Sequence, residues 1–107
     1  MEPSQQDIDE IYSRMENGGW DTASDLKWGF FFFSEAEDKL KDIYSELADH
    51  DYSIENVHKN EDGEWILQVS KVEALAPDKL FRRCVAFNEL ATAYGAHFDG
   101  WDVEKNV

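Results

Sequence analysis

The side chains of this sequence that could bind a metal or carry a proton are three histidines, one cysteine and many carboxylates. His50, His58 and His97 lie in three different segments, and no His-x-x-x-His or Cys-x-x-Cys spacing accompanies them. A zinc site requires several such ligands at short, defined spacings. We therefore expect no metal site and no other cofactor.

Carboxylates cluster at residues 35–38 and again at Glu61, Asp62 and Glu64. Such clusters can imitate a metal or acid–base site, but 24 acidic residues in a chain of 107 make adjacency expected by chance. The spacing of an EF-hand is absent. A glycine-rich phosphate loop and a nucleophile–histidine–carboxylate set are absent as well. The pattern favours a protein that is not an enzyme.

The charge balance is the strongest property of the composition. Ten Lys and Arg residues against 24 Asp and Glu residues leave a formal net charge of -14. Nucleic-acid-binding domains neutralise phosphates with Lys and Arg, so this charge argues against direct binding of RNA or DNA. It favours a basic protein partner, although acidity that only maintains solubility explains the same charge.

The cellular location is predicted from Cys84 and from the N-terminal residues. A single cysteine cannot form an internal disulfide, and the helical pattern around Cys84 indicates a small buried side chain in a reducing compartment. Residues 1–7 have neither a basic nor an apolar segment, and no later stretch has about 20 consecutive apolar residues. We expect a cytoplasmic protein without a membrane partner.

Hydrophobic periodicity predicts the elements that position these groups. Residues 4–17 read as a helix capped by Ser4, and 25–33 read as a central strand that is apolar on both faces. A capping-box pattern of Ser34 and Glu37 predicts a helix over 35–49. Two strand patterns, 52–59 and 64–72, flank a turn at 60–63 and predict a hairpin. Pro77 begins a predicted helix that runs to Gly95, and a last strand is predicted at 97–103.

This order predicts an α+β fold of the ferredoxin-like βαββαβ type over residues 25–104, with an extra N-terminal helix within 1–19. A four-stranded antiparallel sheet would carry two helices on one face, and the whole chain, 1–107, would form one domain. The other sheet face would then lack those helices. Either the N-terminal helix covers it, or it meets a partner. Candidate residues for a partner surface are Glu61, Asp62, Glu64, Trp28 and Trp65.

Two aromatic segments have competing interpretations. Residues 30–33 are four consecutive phenylalanines, which could stack on RNA, but Lys27 is the only basic residue nearby and core packing explains them better. Phe98-Asp99-Gly100-Trp101 forms a short aromatic strand with an acidic-glycine step that calls for a bulge, a tight bend or a close backbone approach. Trp101 at an interface is the alternative to a structural role for this segment.

The segment from Leu90 to Gly95, followed by Phe98-Asp99-Gly100-Trp101, resembles the closing signature of the regulator of ribonuclease E activity B (RraB) family. The order of elements over residues 25–104 is similar to that family as well. The family usually has Tyr where Phe98 stands, and its well-known members carry a long acidic tail, whereas this sequence ends at Val107.

The resemblance implies a non-catalytic regulator that binds the bacterial endoribonuclease E, an enzyme of RNA decay, and inhibits it by protein–protein contact. The acidic charge suits competition for basic regions of such a nuclease. The alternative is a small adaptor or a homodimer that meets an unrelated protein through its open sheet face.

Overall fold

The helices and strands follow one another in the order predicted from the periodicity of the sequence. In a computed structural model, residues 2–105 are described, and Met1, Asn106 and Val107 of the predicted domain lie outside the described residues. The elements are α1 (Gln5–Asn17), β1 (Leu26–Ser34), α2 (Glu37–Ala48), β2 (Ser53–Lys59), β3 (Trp65–Glu73), α3 (Pro77–Ala93) and β4 (His97–Glu104).

The four strands form one sheet in the order β2-β3-β1-β4, and every neighbouring pair is antiparallel. This confirms the predicted α+β class and the four-stranded antiparallel sheet. β1 is central, as its apolar residues on both faces indicated. It pairs along Leu26–Ser34 with β3 and along 27–33 with β4.

The helix starts follow local capping chemistry in two cases out of three. Ser4 caps α1, since its hydroxyl accepts a hydrogen bond from the backbone N–H of Asp7 at 3.3 Å, and Pro77 is the first residue of α3. The predicted capping box of Ser34 and Glu37 is wrong. Ser34 is still the last residue of β1, and its hydroxyl accepts instead from the N–H of Ala36 at 3.2 Å, because pairing with β3 holds Ser34 in the strand.

The hairpin between β2 and β3 is confirmed, together with its turn chemistry. Gly63 adopts a positive φ of 86°, which residue types with a Cβ rarely adopt. The Asn60 side-chain oxygen accepts from the backbone N–H of Glu64 at 2.9 Å, while the Asn60 N–H donates to the Glu64 carbonyl at 2.8 Å. The acidic residues therefore lie at a turn that is held by two hydrogen bonds between Asn60 and Glu64.

The core lies on one face of the sheet and has a cluster of aromatic rings at its centre. Phe30 and Phe32 of β1 contact Phe87 of α3, with ring centroids 4.9 and 5.4 Å apart, and Phe98 of β4 closes the cluster. Cys84 is fully buried beside them, as predicted, and burial raises the pKa of its thiol to about 11. The thiol is therefore a packed apolar group and not a nucleophile at neutral pH.

A polar clamp joins α3 to the sheet at the margin of this core. The Arg83 guanidinium donates two hydrogen bonds to the Glu73 carboxylate, at 2.8 and 3.1 Å, and a third to the Tyr52 hydroxyl at 2.6 Å. Both charged side chains are about four-fifths buried, so removing either one would leave the other charge buried and unpaired. It attaches the middle of α3 to the end of β3.

The N-terminal helix α1 packs on the same side of the sheet as α2 and α3. The Tyr12 ring stacks on Trp28 at a centroid distance of 5.9 Å, and the Tyr12 hydroxyl donates to the Leu75 carbonyl just before α3. Trp28 and Phe30 share one face of β1 because alternate residues point the same way. The alternative in which α1 covers the opposite sheet face is therefore wrong.

Candidate protein-binding surface

The acidic residues predicted for a partner surface lie at the tip of the β2–β3 hairpin. Glu61 and Asp62 are exposed, and Glu64 is half-buried where β3 is about to begin. Glu61 and Asp62 lie within the turn and Glu64 closes it by hydrogen bonds with Asn60, so charge is placed at an exposed chain reversal. These carboxylates can contact a partner without any change in the fold.

The two predicted surface tryptophans are not brought together. Trp65 is half-buried and pairs with Ser34, whereas Trp28 pairs with Lys71, six residues farther along β1, about 20 Å away at 3.3 Å per residue. Trp28 is 0 % exposed, since it is held between Tyr12 and Trp101. The expectation that Trp28 belongs to a partner surface is therefore wrong, because β1 directs it into the helix-covered core.

The segment Phe98-Asp99-Gly100-Trp101 forms a β-bulge in β4. Phe32 pairs with Phe98 and Phe31 pairs with Gly100, so Asp99 is the extra residue, and Gly100 has a φ of 142°. Phe98 is buried, Asp99 is exposed, and Trp101 is half-buried against Trp28 at a centroid distance of 5.7 Å. The geometry gives two aromatic residues core contacts and leaves one carboxylate free to meet solvent.

The sheet face opposite the helices, here called the open face, has an apolar half that we call its phenylalanine end. Phe31 and Phe33 of β1 point to this face, opposite Gln68 and Ile66 of β3. All four are partly exposed. The Phe33 ring stacks on the imidazole of His97 in β4 at a centroid distance of 4.9 Å. This arrangement offers flat apolar surface to a partner.

The other half of the open face, its charged end, collects three carboxylates around one lysine. Lys27 lies 3.3 Å from Glu55 of β2 and 3.5 Å from Glu104 of β4, and the Ser70 hydroxyl donates to Glu55. Asp102 of β4 pairs in register with Gly29, beside Lys27. One positive and three negative groups leave an excess of negative charge at this end. A cationic group of a partner would relieve that excess.

The Asp102 carboxylate occupies space that Gly29 leaves open. A Cβ added to Gly29 would overlap Asp102 Oδ1, so a side chain at position 29 requires the carboxylate to move. Partial burial against the sheet raises the pKa of Asp102, and Glu104 raises it further, while Lys27 and the backbone N–H of Gly29 oppose the shift. This carboxylate is thus partly desolvated, and a cation close to it would stabilise its charged form.

Replacing Gly29 with alanine is expected to lower the pKa of Asp102 toward its usual range. The new methyl group displaces the carboxylate into water, which removes the burial that raises the pKa. The measurement is an NMR titration of the Asp102 carboxyl carbon. Gly18→Ala is the matched control, because a Cβ there would meet its nearest atom at 3.4 Å. An unchanged Asp102 titration in Gly29→Ala would contradict the assigned cause.

The possible metal ligands named from the sequence are spread over the described chain. Within residues 2–105, no group of three or more His, Cys, Asp and Glu side chains is arranged to hold a metal ion. His97 stacks on Phe33, and His50 lies beside the Glu46 carbonyl at the end of α2. In the same described range, no helix is both long enough and apolar enough to cross a membrane.

The charged end of the open face was missed by sequence reasoning. Its members lie on three strands that are far apart in the chain, Lys27 on β1, Glu55 on β2 and Asp102 with Glu104 on β4. A usable signal did exist, because Lys27, Gly29, Phe31 and Phe33 share one parity of β1 and differ from the purely apolar other parity. Only the register of the neighbouring strands brings the carboxylates to that face.

The fold and these surfaces define an acidic α+β protein whose sheet carries all described helices on one face and presents the other to solvent. The family model described as regulator of ribonuclease activity B, RraB, matches residues 5–103. The chain belongs to the RraB family. A comparison with curated proteins found no match.

Proposed function

We propose that this protein is a non-catalytic regulator that binds a ribonuclease of the endoribonuclease E type and reduces its activity by protein–protein contact. The observation that carries the proposal is the family match over residues 5–103, which spans every helix and nearly all of β4. The family's printed description concerns ribonuclease activity. The protein partner, the direction of regulation and the cytoplasmic location are parts of the proposal.

The charge supports contact with the nuclease rather than with its RNA substrate. A net charge of -14 repels phosphate and attracts the basic surfaces with which a nuclease holds RNA. Binding to such a surface would compete with RNA without any chemistry by the regulator. The strand order β2-β3-β1-β4 supports the further assignment to the ferredoxin-like arrangement, which leaves one sheet face available.

The test is a cleavage assay with purified endoribonuclease E and a single-stranded RNA substrate. Adding the protein in excess is expected to slow cleavage. The inhibition should weaken about tenfold as NaCl rises from about 0.05 M to about 0.5 M, because salt screens the attraction. A direct titration against the non-catalytic region of the nuclease reports binding separately. Cleavage that is unaffected by the protein contradicts the proposed regulation, and an affinity that ignores salt contradicts its electrostatic basis.

A further inference from the structure

On the open face, apolar area and unbalanced negative charge lie side by side. Its phenylalanine end presents Phe31, Phe33 and Ile66, and its charged end presents Glu55, Asp102 and Glu104 around Lys27. The two ends are consecutive along β1. From Phe33 to Lys27 the distance is about 20 Å, at about 3.3 Å per residue.

We propose that the open face docks a basic segment of another protein, with apolar side chains on Phe31 and Phe33 and an arginine or lysine among Asp102, Glu104 and Glu55. The identity of the partner as a ribonuclease rests on the proposed function, whereas the surface and the chemistry of its ligand do not. A segment of about six extended residues spans both ends.

Charge complementarity selects this occupant over the alternatives. The three carboxylates exceed the one lysine that they surround, and Lys27 already bridges Glu55 and Glu104, so a single cation serves all three. A planar guanidinium suits this position because it can pair with a carboxylate and also lie against an aromatic ring. The Phe33–His97 pair shows that a flat aromatic ring packs on the phenylalanine end.

Two other occupants are disfavoured by the same charges. A second copy of the chain would bring a further net charge of -14 to an already negative face. A single-stranded RNA could stack on the phenylalanines, but its phosphates would meet the charged end, where Lys27 is neutralised by two carboxylates. Both become outcomes of the test.

Both edge strands of the sheet are poorly suited to pairing with a strand of a partner, which favours binding on the open face. β4 is interrupted by the bulge at Asp99, and β2 has a register shift between Ile54 and Asn56 that leaves Glu55 as its extra residue. Bulges and charged residues on edge strands prevent another strand from pairing there. The bulge in β2 also turns Glu55 toward Ser70 and Lys27, so the feature that blocks the edge adds a carboxylate to the open face.

The experiment uses the full chain and a fluorescein-labelled peptide of about six residues with leucines in one half and arginines in the other, and the same peptide with glutamates in place of the arginines is its negative control. Dissociation constants come from fluorescence polarisation, and NMR shifts map the contact. The pair Asp102→Asn with Glu104→Gln is expected to weaken binding about fivefold. The charge-matched pair Asp42→Asn with Glu89→Gln, exposed on α2 and α3, should change it by less than about twofold.

The apolar contribution is tested by Phe31→Thr with Phe33→Thr, which keeps residues suited to strands and should also weaken binding about fivefold. Val85→Thr, at an exposed position on α3, is the control. If the double variant unfolds, as judged by circular dichroism, Gln68→Arg is used instead to test whether the peptide contacts the phenylalanine end. It adds a charge that repels a basic peptide opposite Phe31 and removes no packing. Its expected effect is again about fivefold weakening.

The proposal is overturned if Asp42→Asn with Glu89→Gln weakens peptide binding as much as Asp102→Asn with Glu104→Gln does. It is also overturned if the Thr and Arg variants bind the peptide as tightly as the wild type does. Sedimentation showing a dimer that Phe31→Thr with Phe33→Thr abolishes overturns it in favour of a second copy. RNA that shifts the NMR signals of the open face overturns it in favour of nucleic acid.

The same variants separate this proposal from the proposed function. If the wild type binds no ribonuclease but the peptide still contacts the open face, the proposed function fails and the docking surface stands. If the wild type inhibits the ribonuclease and the open-face variants inhibit it equally well, the proposed function stands and the docking surface is overturned.

Discussion

Trp28→Ala is expected to lower the free energy of unfolding by about 3–5 kcal/mol, the range for removing a large buried aromatic side chain. Trp28 is fully buried and makes two ring contacts, with Tyr12 of α1 and Trp101 of β4. Its indole N–H donates to the Glu73 carbonyl at 3.1 Å. The substitution therefore opens a cavity at the junction of α1 and the sheet and leaves that carbonyl without this donor.

The measurement is denaturant unfolding followed by circular dichroism, with Trp65→Ala as the matched control. Trp65 is half-buried, so its loss should cost clearly less than the loss of Trp28. Trp28→Phe separates ring packing from the hydrogen bond and should recover most of the stability. Equal losses at positions 28 and 65 would contradict the assignment of Trp28 to the core and would reopen its role at a surface.

Gly100→Ala is expected to lower the free energy of unfolding by about 1–3 kcal/mol, the cost of holding a residue with a Cβ in a backbone conformation suited to glycine. Gly100 has a φ of 142° at the bulge, where Asp99 is the extra residue of β4. Alanine is small enough that the change reports the backbone and not side-chain size.

The control for Gly100 is Gly18→Ala, since Gly18 has a φ of -85° and ordinary contacts around its missing Cβ. Unfolding curves for the two variants should therefore differ, with the larger loss at position 100. If Gly100→Ala melts with the wild type, glycine at this position has no backbone role. In that case the Phe98–Trp101 segment would need another explanation, such as contact with a partner through Asp99 and Trp101.

The two predictions also distinguish fold-determining residues from binding residues. Trp28 and Gly100 are expected to affect stability, whereas Asp102 and Glu104 are expected to affect binding with little change in stability, since exposed ion pairs contribute little. The opposite pattern, in which Trp28 and Gly100 affect binding while Asp102 and Glu104 affect stability, would contradict the assignment of the binding surface to the open face.

Most of the elements follow from patterns within a few residues of sequence. The cap at Ser4, the start of α3 at Pro77 and the turn at Gly63 were each predictable, because each depends on local hydrogen bonds or backbone angles. The capping box at Ser34 failed because pairing with Trp65 of β3 extends β1 through that residue. A local pattern was overridden by a contact across the sheet.

The sequence by itself determined the class of the fold, the acidic charge, the burial of Cys84 and a family resemblance that the family match over residues 5–103 supports. Periodicity and composition suffice for these properties because they need no long-range register. The tertiary structure alone decided which face of the sheet is open, that Trp28 is internal, and that Lys27 meets Glu55 and Glu104. Those outcomes depend on strand pairing and on which face of the sheet α1 packs against. Both are determined by packing between residues far apart in the chain.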